Sequence, residues 1–494
     1  MSPDALLGLV MLVVMIGAIF IGFPISFTLL FLALAFGYAG LGDAVFSLAY
    51  YQTIGMMKEE LLAAVPLFVF MGFITEQAGL MERLFTAFRM ILAPVRGALY
   101  AVVILTATVF AMATGIVGAA VTVLGIMAAP IMIKTGYDAK LSAGAIAAGG
   151  TLGILIPPSV MLIVMGPVLG VSVAELYAAA FGPGFLLAGI YLVYLLGRSF
   201  FNPKLGPPVP QEERVHSFAV LLREVVIGVV PLMGLIAATL GSILAGAATP
   251  TEASAIGALG ASLLAIVYRK VTYAGLKRAV LATTATSSMV LFLAMTSNIF
   301  GAVFSRLGTA NWITETMLVL QLPPTLMLIA VIVLIFLLGW PFEWPAVVLV
   351  FLPIFYPVVA ALKFDMIWFG ALVAVTLQTA FLSPPVAMSA YYLKQVVKEW
   401  SLATIYKGMY EFMILQCIAI ALLIIFPQIA TYLPEQLRAD MAAQKTEQVD
   451  DSANRLEEDP LKSIPENSSE PETGAGESAE KDELKSKASA PPRR

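Results

Sequence analysis

The stretch Gly153-Ile154-Leu155-Ile156-Pro157-Pro158-Ser159 ends in two prolines inside one of the most apolar regions of the chain. Proline lacks an amide hydrogen and its ring clashes with the preceding turn, so it breaks a helix. Hydrocarbon offers no water to the backbone groups that a break sets free. Irregular backbone at membrane depth therefore survives only where it is buried in protein or lines a water-filled cavity. The use of this break decides the fold.

Its surroundings read as membrane. The chain has 494 residues, 60% hydrophobic and 12% charged, with a mean hydropathy of +0.92. A soluble domain is about 45–50% apolar and about 25% charged. Apolar runs of about 20 residues recur from Leu6 to Tyr432, the length at which a helix crosses a bilayer. Strands of a transmembrane barrel would alternate instead. The apolar start at Ala5 runs into further spans without a small-residue cleavage site, so it is expected to be a span and not a cleaved signal. One cysteine (Cys417) excludes an intrachain disulfide, and the one histidine (His216) sits in a polar loop as a surface residue. There is no metal-ligand spacing, phosphate loop or Ser–His pair, so no enzyme is expected, and no nucleic-acid partner.

The charges are segregated. Residues 433–494 hold 15 acidic and 9 basic side chains and few large apolar groups, the composition of a disordered acidic tail. Within 1–432, sixteen Lys and Arg fall in alternate connections: at 83–96, 134–140, 198–223, 269–278 and 394–407. The other connections hold only Lys58, Arg306 and Lys363. The positive-inside rule puts the rich set in the cytoplasm.

That assignment settles two long apolar runs. Residues 98–133 lie between Arg96 and Lys134, both cytoplasmic. A single 36-residue helix would be about 54 Å long, too long for a core of about 30 Å. A hairpin that enters and leaves on one side fits, its tip at Ala113-Thr114-Gly115-Ile116-Val117-Gly118. Residues 324–361 form a similar run, with its tip at Gly339-Trp340-Pro341-Phe342-Glu343-Trp344-Pro345 and its flanks on the basic-poor, periplasmic side.

The chain also repeats. Displacing it by 227 residues sets Pro130 on Pro357, Asp138 on Asp365, Ala147 on Ala374, Leu155 on Leu382, Pro157-Pro158 on Pro384-Pro385 and Met161 on Met388. Chance likeness between apolar segments competes with this reading, but the paired prolines and aspartates favour duplication. Each half (1–215 and 216–432) reads as three spans, a hairpin (98–133; 324–361), a broken span (141–170; 366–397) and a final span. Five full crossings is an odd number, so the second half lies inverted. The expected fold is an all-α polytopic membrane protein of inverted-repeat type, with two re-entrant hairpins and two broken helices. Secondary transporters use this architecture, with the site near the midplane. Stretches 42–60 and 303–322, less apolar and charged, read as interfacial helices or plain loops. Ten crossings from a periplasmic N-terminus leave the C-terminal tail periplasmic.

Proton-driven carriers commonly need buried Asp, Glu or His chains. Glu343 is the main candidate here, and it is expected at the wet periplasmic face. Glu252 has capping-box spacing from Thr249, with Pro250 at the first helical position, and reads as structural. Sodium coupling fits better, because unwound backbone carbonyls and hydroxyls hold a hard cation without a buried charge. The first candidate sodium site joins Thr114, Gly115 and Gly118 to Gly153, Ile156 and Pro158. The second joins Gly339 to Ala380, Ser383 and Val386. Half-helix N-termini at the breaks offer N–H groups to an anion, and Thr151, Ser159, Gln378 and Thr379 are candidates to hydrogen-bond a substrate. The competing reading is that Gly and Pro merely kink and pack helices.

These residues resemble the large membrane subunit of the tripartite ATP-independent periplasmic (TRAP) transporters. The resemblance covers about 5–430 and rests on Ala64-Val65-Pro66-Leu67-Phe68-Val69-Phe70-Met71-Gly72, Gly136-Tyr137-Asp138, the stretch at 153–159, Ala248-Thr249-Pro250-Thr251-Glu252-Ala253 and Leu382-Ser383-Pro384-Pro385. It implies a sodium-driven elevator in the bacterial inner membrane, a periplasmic binding protein that delivers a small organic anion, and a separate small four-helix membrane subunit. It also implies sodium sites at the hairpin tips and breaks. The chain departs from the family where Thr114-Gly115-Ile116-Val117 replaces a serine-rich tip, where Ala380 stands for Gly, and where Ser383 stands for Thr. The alternative is a stand-alone sodium- or proton-coupled anion carrier of the wider ion-transporter class.

Overall fold

The structure is a computed structural model that describes residues 2–208, 218–384, 387–440 and 442. The chain divides into two units, Met1–Ala439 and Asp440–Arg494. Regular structure among the described residues is helical throughout. The first half runs α1 (Pro3–Ile21), α2 (Ile25–Leu41), α3 (Ala44–Met57), α4 (Ala64–Gln77), α5 (Leu80–Leu92), α6 (Ala98–Thr114), α7 (Val117–Lys134), α8 (Ala139–Thr151), α9 (Val160–Leu169) and α10 (Val173–Phe201). The second runs α11 (Phe218–Ile236), α12 (Pro250–Val267), α13 (Tyr273–Arg306), α14 (Thr309–Val319), α15 (Pro324–Leu338), α16 (Trp344–Ala361), α17 (Met366–Gln378), α18 (Met388–Val396) and α19 (Leu402–Ile425). All of these lie in the first unit. Nine described helices are long and apolar enough to cross a membrane. Exposed Phe20, Phe31, Val193, Leu259 and Val267 give their outer faces the apolar surface that lipid requires.

The displacement of 227 residues carries helix onto helix. It maps α7 onto α16 and α8 onto α17 end for end, and the 3₁₀ turn Leu152–Ile154 onto Thr379–Phe381. Pro130 and Pro357 take the same place inside α7 and α16. The paired aspartates are helix caps. Asp138 accepts a hydrogen bond from the Leu141 amide at 2.8 Å, and Asp365 accepts from the Ile367 and Trp368 amides at 2.8 Å. Each carboxylate satisfies amides that the first turn would otherwise leave bare.

These helices pack as one unit, in which α6 also touches α4 and α5. α4 lies on α12, α5 on α11, and α13 spans α2, α3 and α4. α8 packs between α7, α6 and α19, while α10 covers α6, α17 and α19. Glycine lets α8 and α19 cross closely: a Cβ on Gly408 of α19 would sit 2.1 Å from the Lys140 carbonyl oxygen, and one on Gly144 of α8 would sit 2.6 Å from Phe412. Outside that crossing, Lys140 bonds Glu411, which also accepts from the Tyr194 hydroxyl at 2.6 Å, with Arg198 at 3.7 Å.

Two expectations change. Residues 303–306 are the end of α13, which runs on as one 34-residue helix, so only α14 forms a separate short helix there. Residues 433–440 are helical and not tail, because the chain after α19 turns back into a helix over 428–440. Ala430 there is buried, and Arg438 forms a bidentate pair with Glu175 at 3.0 and 2.9 Å. The rest of the expected tail (apart from Ala442), His216 and Val386 lie outside the described residues.

Candidate functional site

Two residues, Gly115 and Ile116, separate α6 from α7. Gly115 has φ of 61°, a left-handed conformation that costs glycine nothing. The turn needs this and so does its neighbour. A Cβ on Gly115 would stand 3.3 Å from the Pro158 carbonyl oxygen and 3.7 Å from that of Gly153. A Cβ on Gly153 would in turn meet the Ile116 amide nitrogen at 3.6 Å. The first hairpin tip thus sits on the first break, with two carbonyl oxygens facing one side of Gly115. The Pro157–Pro158 peptide is cis.

The other members of the first set divide. The Thr114 hydroxyl donates to the Phe110 carbonyl at 3.2 Å and keeps lone pairs for a cation. Its carbonyl faces Gly72 of α4, where a Cβ would sit 2.7 Å away. The side chain of Ile156 lies on Gly184 of α10. Gly118 lines one cavity with Ile154 and Val160 of the first break, and a Cβ there would meet the Tyr392 ring of α18 at 3.0 Å, so it also joins the two repeats. In the second set, Gly339 meets Ala380, with a Cβ on the glycine 3.1 Å from the alanine methyl. The Ser383 hydroxyl donates to the Thr379 carbonyl. No group of three His, Cys, Asp or Glu side chains among the described residues could hold a metal. A cation at either place would therefore be held by carbonyl and hydroxyl oxygens.

The four substrate candidates are fully buried. Three hydroxyls turn into their own backbone: Thr151 to Ala148 at 2.8 Å, Thr379 to Thr376 at 2.6 Å, and Ser159 to Ile154. The Gln378 amide has no hydrogen-bond partner among the described residues. None of the four lines the cavity between the hairpins.

That cavity, of about 210 Å³, is what local sequence reasoning missed. Val117, Val160, Trp344 and Met388 all line it. Each is the first residue of a half-helix, and none of the four helices has a side-chain cap. The N-termini of α7, α9 and α18 bring amides and positive dipole ends to this lining, while α16 brings fewer, since Pro345 has no N–H and the Ala346 amide bonds the Glu343 carbonyl. Glu343 lines it too. It shares that lining with the first hairpin tip, at Gly115, Ile116, Val117 and Gly118. A second cavity of about 490 Å³ shares Met289, Glu343 and Pro345 and extends to the α1–α2 turn at Pro24.

Hairpins, broken helices and a buried cavity at their meeting point define a polytopic α-helical membrane transporter. The family model described as "Tripartite ATP-independent periplasmic transporter, DctM component" matches residues 12–429, and the chain belongs to that family. It is accordingly a multi-pass permease of the bacterial inner membrane, not an enzyme. It serves secondary transport of organic acids together with a periplasmic binding protein and a small membrane subunit. Relatives include the "Sialic acid TRAP transporter large permease protein SiaM" of Vibrio cholerae (29% identical, covering 85% of this chain and 96% of that one). The "C4-dicarboxylate TRAP transporter large permease protein DctM" of Pseudomonas aeruginosa is 30% identical over 79% and 88%. The "Ectoine TRAP transporter large permease protein TeaC" of Halomonas elongata is 27% identical over 86% and 98%. Among solved structures, the Alcanivorax borkumensis YdaH transporter shares the fold, with TM-score 0.56 and 16% identity over 80% of this chain and 90% of that one.

Proposed function

We propose that this permease imports a small organic acid by sodium symport, with the hairpins, broken helices, α10 and α19 moving as an elevator against a frame of α1–α5 and α11–α13. The observation that carries it is the meeting of Gly115 with the Gly153 and Pro158 carbonyls beside a cavity lined by the first residues of four helices, three of them with free first-turn amides. The carbonyls suit a hard cation and the amides suit a carboxylate. Sodium bound at the tip would fix hairpin to break and so complete the anion site, which couples the two. The relatives are named for sialic acid, C4-dicarboxylates and ectoine, so the class of cargo transfers and its identity does not. The basic-rich connections favour a periplasmic location for both chain ends and a cytoplasmic mouth for the cavity at Pro24.

Reconstitution in proteoliposomes tests this. Uptake is expected only when external sodium, the binding protein and the small membrane subunit are all present. Uptake driven by a proton gradient without sodium rejects the coupling, and uptake by this chain alone favours a stand-alone carrier.

A further inference from the structure

We propose that the substrate is a zwitterion: besides its carboxylate it carries a cationic nitrogen, seated against Glu343 and the aromatic rings of Trp344, Phe381 and Tyr392. This deepens the organic-acid reading above and rests on it.

The inference begins from charge. Glu343 is the one charged residue among the described residues lining either the cavity between the hairpin tips or the larger cavity that adjoins it. It is partly buried, and no described Lys or Arg forms an ion pair with it. Its backbone carbonyl starts α16 by accepting from the Ala346 and Val347 amides at 3.1 and 3.2 Å, but its side chain does not cap that helix. A carboxylate set in a half-buried cavity without a counter-charge is costly, and a purely anionic cargo entering that space would add a like charge. A cationic group on the cargo removes both costs.

The neighbours point the same way. Trp344, Phe381 and Tyr392 line the cavity beside Glu343, and aromatic faces attract ammonium and quaternary ammonium groups. Tyr392 is held in place by Gly118, whose missing side chain lets the ring lie on the first hairpin. The lining therefore offers both chemistries: the N-termini of α7 and α9 suit the carboxylate of the cargo, while Glu343 and the three rings suit its nitrogen.

Matched pairs of carboxylates that differ only at that nitrogen test the proposal. They are glycine betaine against 3,3-dimethylbutanoate, proline against cyclopentanecarboxylate, and pipecolate against cyclohexanecarboxylate. The readout is thermal stabilisation of the purified chain in sodium buffer, since a ligand of the folded state raises its apparent stability. At least one zwitterion is expected to bind tenfold or more tightly than its isostere. Glu343→Gln should abolish that preference without reducing affinity for the plain acid, and Glu343→Asp should keep it. Plain acids that bind as well as zwitterions overturn the proposal but leave the organic-acid reading standing. A Glu343→Gln variant with altered sodium dependence and unchanged preference also overturns it, by moving Glu343 to a cation site. No stabilisation by any zwitterion of the series overturns the proposal, and the organic-acid reading is judged separately by uptake in the reconstituted complex.

Discussion

Two independent constraints meet at Gly115. Its left-handed φ strains any side chain, and its approach to two carbonyl oxygens crowds a Cβ, at 3.3 Å from one and 3.7 Å from the other. These can be separated by comparison with Gly170, which has φ of 64° and no atom within 4 Å of its Cβ position. Alanine at either position is expected to cost about 1–2 kcal/mol of backbone strain. Only Gly115→Ala should also weaken sodium, with at least a tenfold rise in the concentration giving half-maximal thermal stabilisation. An equal sodium response in the two variants would remove Gly115 from the cation site. Gly72 shows the same logic across the frame, since only a residue without Cβ lets α4 touch the Thr114 carbonyl.

Among the helices, local capping chemistry decides where the broken ones begin. Asp138 opens α8 and Asp365 opens α17, each through amides at 2.8 Å. Alanine at either position should destabilise the chain by about 1 kcal/mol. The double variant should show close to the sum, because distant sites add. Thermal unfolding of the single and double variants checks this, and an effect near zero would leave the aspartates without a structural role. The capping box at the start of α12 follows the same chemistry: the Thr249 amide donates to Glu252 at 2.8 Å, and the Glu252 amide to Thr249 at 3.2 Å. Glu252 is therefore occupied by its own helix and is not available to coupling.

The assembled permease turns on α13. It lines the cavity between the hairpins with Thr286 and Met289, and the adjoining one with Ser288 and Phe292. Further along it lines a third cavity, of about 440 Å³, with Ser297 and Asn298. Residues of α3 and α13 line that third cavity together with residues of α9 and α16, among them Asn298 and Val168. The elevator proposed above would slide along this seam. In a Cys417→Ser background, cysteines at Asn298 and Val168 joined by a bifunctional maleimide are therefore expected to cut uptake at least tenfold, while sodium still stabilises the chain. Full uptake after cross-linking would mean that the seam does not move.

Much of this was legible in sequence, because it is local. Hydropathy located the spans, Pro157-Pro158 marked the break, Gly115 marked a reversal, and Asp138 and Asp365 announced helix starts through groups two or three residues away. The matched displacement of 227 residues showed that the two broken segments share one plan, since each proline and cap acts within its own few turns. The contacts between those segments had no such signal. Gly118 reads in sequence as part of the first break, and folding also sets it against Tyr392 from the other half of the chain. Thr151, Ser159 and Thr379 donate to carbonyls about one turn back, partners that residue type alone does not announce. The merging of 303–306 into α13 followed from packing along α2, α3 and α4, which a local polarity change does not reveal. Which segments cross, break and cap is written in the residues themselves, because propensity and hydrogen bonding act within a turn or two. That four helix N-termini and the Glu343 carboxylate share one cavity is a property of the packed chain alone, because residues hundreds of positions apart enclose that cavity and it exists only once the two hairpins meet.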